Sequence, residues 1–200
     1  RRGCRGQAAV RVEGRVEQPH SLWSYCPTAR AMFQAGETIH VEAAMAVAMS
    51  LRAFLDAHPL AHDIVRHRHT PSSQYSAAAA GQPGDKIAKA VLLRDEDGYV
   101  LAVLPATYRL HLGQLHRWLN RSLGLATERD VAALFEDCEV GAIPPVGLLY
   151  GIDTVVDDAL LAQSDVYFEA GDHEQLIHMG MRDFKKLLGD ATHARFSLHQ

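Results

Sequence analysis

An α+β domain built on a mixed sheet flanked by helices is the fold class that this sequence predicts. Three observations lead there. The chain of 200 residues is 48% hydrophobic and 22% charged, the balance of one globular domain of ordinary size. Its strands come both as a hairpin, around Asp95-Glu96-Asp97-Gly98, and as segments separated by helices, which fits a doubly wound parallel sheet poorly. Apolar runs reach no more than about ten residues before a charge breaks them, well short of the roughly 20 that a membrane-spanning helix needs.

The elements follow in order from Met49. Ser50 stands as the N-cap of a helix whose Leu51, Phe54 and Leu55 form an i, i+3, i+4 face, and His58-Pro59 ends it. Asp63 to His69 reads as a strand on its β-branched Ile64 and Val65, closed by Thr70-Pro71. Ser72 or Ser73 caps a short helix through Ala77 to Ala80, which Gly81 stops. Ile87 to Leu93 is the first strong strand, and Gly98 suits the left-handed position of a bulged hairpin. Tyr99 to Leu104 continues as an unbroken apolar strand, which implies cover on both faces. Leu112, Leu115 and Leu119 define a helix face. Thr127 opens another helix, with Glu128 and Asp130 favourable to its dipole and Val131, Leu134 and Phe135 turned inward. Beyond the Gly/Pro-rich stretch from Gly141 to Gly151 come strands around Thr154–Val156, at Val166–Ala170 and at Leu176–His178. Phe184, Leu187 and Leu188 form the inner face of a last helix.

Charge divides the chain. Residues 1–44 hold six Arg and four Glu, with Gly3, Gly6 and Gly14 among them and no sustained apolar period. They read as a disordered tail, or as upstream codons with Met45 or Met49 the true start; a basic arm is the other reading, against which the Glu residues argue. Residues 45–200 hold fourteen Lys/Arg and twenty Asp/Glu. An acidic domain is a poor non-specific binder of nucleic acid, because that affinity comes from phosphate neutralisation. DNA and membranes are therefore not expected partners, and any nucleic-acid substrate must be gripped at a tip. Cys4, Cys26 and Cys138 are odd in number and widely spaced, which points away from a disulfide framework or a zinc ribbon and towards a reducing, cytoplasmic setting.

Three features carry candidate chemistry. Side chains alternate along a strand, so Lys89 shares a face with Ile87, Val91 and Leu93 as a lone cation in an apolar row. Burying an unpaired ammonium costs several kcal/mol, so Lys89 must reach the strand end, find a carboxylate, or face a site that wants positive charge. Gly141-Ala142-Ile143-Pro144-Pro145 is a stiff loop whose prolines have fixed φ and whose glycine permits close backbone approach, useful for positioning a carbonyl or a water. His173, in Gly171-Asp172-His173 after a strand, can be a donor, a general base or a simple cap. His67 and His69 would face one way on a strand, as metal ligands do, but no partner of metal-site spacing accompanies them. Asp157-Asp158 reads as a helix N-cap before Ala159-Leu160-Leu161. Nucleophile elbow, phosphate loop and dinucleotide fingerprint are all missing. A cofactor-free enzyme or a binding module remains.

In order and spacing these pieces resemble the YbaK/prolyl-tRNA synthetase-associated domain, the trans-editing deacylases that clear mischarged tRNA. The likeness runs from about His58 to Leu188 and rests on Ile87-Ala88-Lys89-Ala90-Val91, on Gly141 to Pro145 as the family's G-x-x-x-P loop, on Val155-Val156-Asp157, and on Gly171-Asp172-His173. Ala142 stands where many relatives have a second glycine, and Pro144 is an extra stiffener. The resemblance implies a partly barrel-like sheet and places Lys89, Gly141, Pro145 and His173 in the catalytic site. It implies Ala142, Ile143, Pro144 and Gly171 as the substrate-binding surroundings. It also implies no metal or cofactor. The implied partners are the 3′ end of an aminoacyl-tRNA and an aminoacyl-tRNA synthetase; a non-catalytic module binding the tRNA end or a synthetase is the alternative on the same fold.

Overall fold

A computed structural model describes residues 47–200; the expectations for residues 1–44 lie outside that range. The central feature is one mixed sheet. Its strands are β1 (Asp63–Arg66), β2 (Ile87–Asp95), β3 (Gly98–Pro105), β6 (Asp153–Asp157), β7 (Asp165–Glu169), β8 (Gln175–Gly180) and β9 (Thr192–Ala194), in the order β1-β8-β7-β2-β3-β6-β9. The two-residue β5 (Gly124–Leu125) pairs with β2 off this path. β4 (Tyr108–Leu110) and β10 (Ser197–His199) form a separate ribbon. β2–β3 and β7–β8 are antiparallel, whereas β2–β7, β3–β6 and β6–β9 are parallel. The path runs from edge to edge, so the described sheet is open and does not close into a barrel.

Side-chain alternation distributes the core over both faces. On one face Ala88 and Leu92 of β2, Leu101 and Val103 of β3 and Phe168 of β7 pack with α1 (Met49–Ala57) and α6 (Met181–Leu188), through Leu51, Leu55, Phe184 and Leu187. Across the sheet Leu93, Val100, Ala102 and Leu104 pack on Leu115 of α3 (Leu112–Leu119) and on Phe196. A smaller cluster on that second face joins Ile87, Tyr167 and Leu176 to Ala77 of α2 (Ser73–Ala79). β3 is thus covered on both sides, as its unbroken apolar run requires.

Local chemistry sets several boundaries. Thr127 and Asp130 form a reciprocal capping box on α4 (Glu128–Leu134). Asp157 caps α5 (Asp158–Leu161) by accepting from Ala159 N, and its other oxygen accepts from Phe196 N at 2.8 Å. Three expectations need correction. The first helix begins at Met49, so Ser50 is not its cap; the Ser50 amide and hydroxyl instead donate to Asp137, which ties α1 to the segment after α4. The hairpin has no bulge, because Asp95 pairs directly with Gly98 across a two-residue turn, with Gly98 at φ 130°. β1 stops at Arg66, where its partner β8 begins, so His67 and His69 are not strand neighbours. Among the described residues no group of three or more His, Cys, Asp or Glu could hold a metal ion, and no helix is long and apolar enough to cross a membrane.

Asp157 is fully buried and bonds two separate backbone amides. Asp157→Ala leaves both donors unsatisfied and is expected to cost about 2–4 kcal/mol, measured as a lower urea midpoint at unchanged m-value.

Candidate active site

β2 and β7 are parallel neighbours for only two pairs, Ile87–Tyr167 and Ala88–Phe168. Further along, the same strand takes a different partner, with Leu93 opposite Leu125 and Arg94 opposite Gly124 in β5. Between these pairings Lys89, Ala90 and Val91 have β3 on one side and neither β7 nor β5 on the other. These three residues are half-buried, while Ile87, Ala88, Leu92 and Leu93 on either side are buried. β2 and β7 therefore part at the carboxyl end of β7, and this gap in the strand pairing, the crevice, is the position at which parallel strands that part leave room for a ligand.

Lys89 lies on the second face of the sheet, past the cluster that α2 covers and before the one that α3 covers. Its ammonium donates to the carbonyl oxygens of Ala106 (3.1 Å) and Tyr108 at the β3–β4 corner, and to no carboxylate. Burial, and the nearby Arg109 guanidinium, lower its pKa. The charge is thus held by backbone dipoles and, among the described residues, has no anionic partner.

The Gly141 loop and the Gly171 turn meet directly. Glu139 N donates to Gly171 O at 2.8 Å, and His173 Nε2 donates to Val140 O at 3.1 Å. Gly141 has φ 94°, and a Cβ there would stand 3.4 Å from the His173 ring. Glycine is needed for the backbone conformation and for this close approach. Asp172 holds the turn by accepting from Glu174 N and Gln175 N, and His173 itself takes the left-handed conformation at φ 57°. Ala142, Ile143, Pro144 and Pro145 are buried, and Ile143 packs in the core with Val146. Gly171 is buried against Ala48 at the start of α1. The structure thus joins Gly141, Gly171 and His173. No hydrogen bond links Lys89 to them; it lies on β2, the strand that pairs with β7 up to Ala88.

Sequence reasoning missed Glu169. It ends β7 at 1% exposure, on the Tyr167 face and therefore on the face of Lys89. Ser76 Oγ donates to its Oε1 at 2.5 Å, Thr70 Oγ1 lies 2.6 Å from Ser76 Oγ, and Oε2 has no partner among the described residues. Burial raises its pKa, against the opposing effects of the Ser76 hydrogen bond and the neighbouring His173 and His67. A single carboxylate inside the apolar run Val166–Ala170 was the available signal. Burial pushes the Cys138 thiol up to about 12, which disfavours the thiolate that a nucleophile needs, and the thiol hydrogen-bonds Tyr150 and Asp137.

Residues 67–187 match the model of the aminoacyl-tRNA editing domain. The chain belongs to that family. Its editing domain is similar in structure to hypothetical protein APE2540, with a TM-score of 0.67 and 26% identity over 74% of this chain and 99% of the other. A candidate trans-editing enzyme for prolyl tRNA synthetase is also similar in fold, with a TM-score of 0.67 and 24% identity over 76% of this chain and 96% of the other. Comparison with curated protein sequences gives no match. The matched segment contains Lys89, Gly141 to Pro145, Glu169 and His173, so the crevice lies wholly within the editing domain.

A carboxyl group whose folded-state pKa is raised stabilises the protein most below its unfolded value and loses that contribution as pH rises through the folded value. Glu169 is such a group. Glu169→Gln is therefore expected to gain stability relative to the wild type as pH rises from about 4.3, the unfolded value, towards neutrality, checked by urea unfolding of both proteins across that range.

Proposed function

We propose that this chain is a trans-editing deacylase, hydrolysing the ester that joins a small, wrongly attached amino acid to the terminal ribose of tRNA. What supports the reading is the point where β2 and β7 part beside the half-buried Lys89, together with the Val140–His173 hydrogen bond next to Gly141, inside a family-matched editing domain. Water adds to the ester carbonyl, the tetrahedral oxyanion collapses, the bond to the ribose oxygen breaks, and that oxygen takes a proton. The neighbouring ribose hydroxyl assists, as the family resemblance implies, so no serine or cysteine nucleophile is needed. Lys89 supplies positive charge for the terminal phosphate or the substrate backbone. Backbone groups of Gly141 to Pro145 orient the carbonyl or the water, the way preorganised dipoles favour a developing oxyanion. With Ala142 and Ile143 turned into the core, this loop meets substrate through its backbone.

The acidic balance of residues 45–200 suits this task. Only the single-stranded end of the tRNA must enter, and the duplex does not have to be gripped. Small-side-chain selectivity then resides in the crevice walls, where one methylene is worth about 1–3 kcal/mol. The activity belongs with protein synthesis in the cytoplasm.

The test is a panel of tRNAs charged with alanine, serine, threonine, cysteine and proline. Selective release of one amino acid is expected, and Lys89→Ala should reduce kcat/KM by about 100-fold or more at unchanged Tm. His173→Ala should lose less, about tenfold, because part of its role is to hold the turn. Binding of the tRNA end without turnover would identify the alternative, a non-catalytic module. Full activity of Lys89→Ala would remove that residue from the site.

A further inference from the structure

Three of the buried polar atoms that lack partners belong to one corner of the fold: Glu169 Oε2, His173 Nδ1 and His67 Nε2. The corner is held together by hydrogen bonds. His67 N donates to Glu174 O at 2.9 Å, Thr70 N donates to His173 O at 3.3 Å, and Ser76 links Thr70 to Glu169. Glu169 and His173 are 1% and 4% exposed. A buried polar atom without a partner costs about 1–3 kcal/mol, so three on adjoining segments mark this corner as one that a donor from outside would stabilise.

The hydrogen bonds already made determine what kind of ligand. His67 Nδ1 lies 2.8 Å from Arg68 O and must carry the ring hydrogen, which leaves Nε2 of the neutral ring an acceptor. His173 Nε2 faces Val140 O in the same way, which leaves Nδ1 an acceptor. Glu169 Oε2 accepts when the carboxyl is ionised. The corner therefore offers three acceptors, one of them on a carboxylate. They do not form a group that could hold a metal ion. Hydrogen-bond lengths near 2.9 Å tolerate wider spacing than metal bonds near 2.1 Å, and a primary ammonium brings one positive charge and three N–H donors.

We propose that this corner, centred on Glu169, is the subsite for the free α-ammonium of the aminoacyl ester, so that the enzyme acts only on esters whose amino group is unblocked. The inference rests on the deacylase reading and adds a specificity to it. An N-acylated or peptidyl ester brings an uncharged amide with one N–H, leaving Glu169 and at least one histidine unpaired. A site built for a hydrogen-bonding group rejects the analogue that lacks it far more strongly than an apolar pocket rejects an extra methylene. The consequence is that the enzyme would spare peptidyl-tRNA while clearing mischarged aminoacyl-tRNA. A bound cation would also favour the ionised form of Glu169, which burial disfavours.

The experiment compares the best substrate of the panel with the same aminoacyl-tRNA after N-acetylation, using wild type and Glu169→Gln. The wild type is expected to prefer the free amine by about 100-fold or more in kcat/KM. Glu169→Gln keeps the size of the side chain and an acceptor for Ser76. It should cut the preference to about tenfold or less, chiefly through a higher KM for the free-amine substrate, with a Tm no lower than the wild type. Equal hydrolysis of both esters by the wild type, or an undiminished preference in Glu169→Gln, overturns the proposal and leaves the deacylase reading standing. If the wild type hydrolyses neither ester, the deacylase reading fails, and NMR titration with L-alaninamide and N-acetyl-L-alaninamide decides the subsite. Shifts of the His67 and His173 rings with the amine alone, lost in Glu169→Gln, support it. Equal or absent responses to the two amides overturn it.

Discussion

β2 and β7 run side by side for two residue pairs and then part, and the site proposed for this domain depends on that parting. Had the pairing continued, Lys89 and Glu169 would be the next neighbours, and a lysine and a carboxylate side by side in a sheet would neutralise each other. Instead the ammonium turns to the carbonyls at the β3–β4 corner, while the carboxylate turns to Ser76 at the start of α2. The two charges flank the opening on one face of the sheet without satisfying one another.

The rest of the architecture keeps the opening from collapsing. The first face of the sheet is filled by a continuous apolar core that reaches α1, α6 and the Gly141 loop. The second face is covered by α2 at one end and α3 at the other, with Lys89 between. Ala48 N donates to Ala170 O at 2.6 Å, and Ser50, Asp137 and Tyr150 bond one another, so the segments around the crevice are tied down by groups outside it. A buried carboxylate with an unpartnered oxygen and a histidine at positive φ oppose folding. Such features persist where surrounding packing holds them, and here they lie together at the end of β7.

Much of the fold was legible because its signals are local. The alternation that puts Lys89 with Ile87, Val91 and Leu93 needs only the period of a strand, and the three core clusters reproduce it. The capping role of Asp157 needed only the apolar residues that follow it. The helix start at Ser50 was misread because its hydroxyl was claimed by Asp137, 87 positions away. The short β4, β5, β9 and β10 were not seen, since two or three residues carry no period and form only where a partner strand is already in place.

The candidate site divides along the same line. Sequence alone determined which residues carry unusual chemistry for their surroundings: a lysine in an apolar strand, a glycine beside two prolines, and a histidine after a Gly-Asp turn. Burial of a charge is costly wherever it occurs, so those anomalies were visible without coordinates. Only the tertiary structure decided that His173 hydrogen-bonds Val140 beside Gly141, that Lys89 turns to the carbonyls of Ala106 and Tyr108, and that Glu169 is buried at the end of β7 where the β2 pairing stops. Those relations depend on where two parallel strands stop pairing, and strand separation is set by long-range packing that no local pattern encodes.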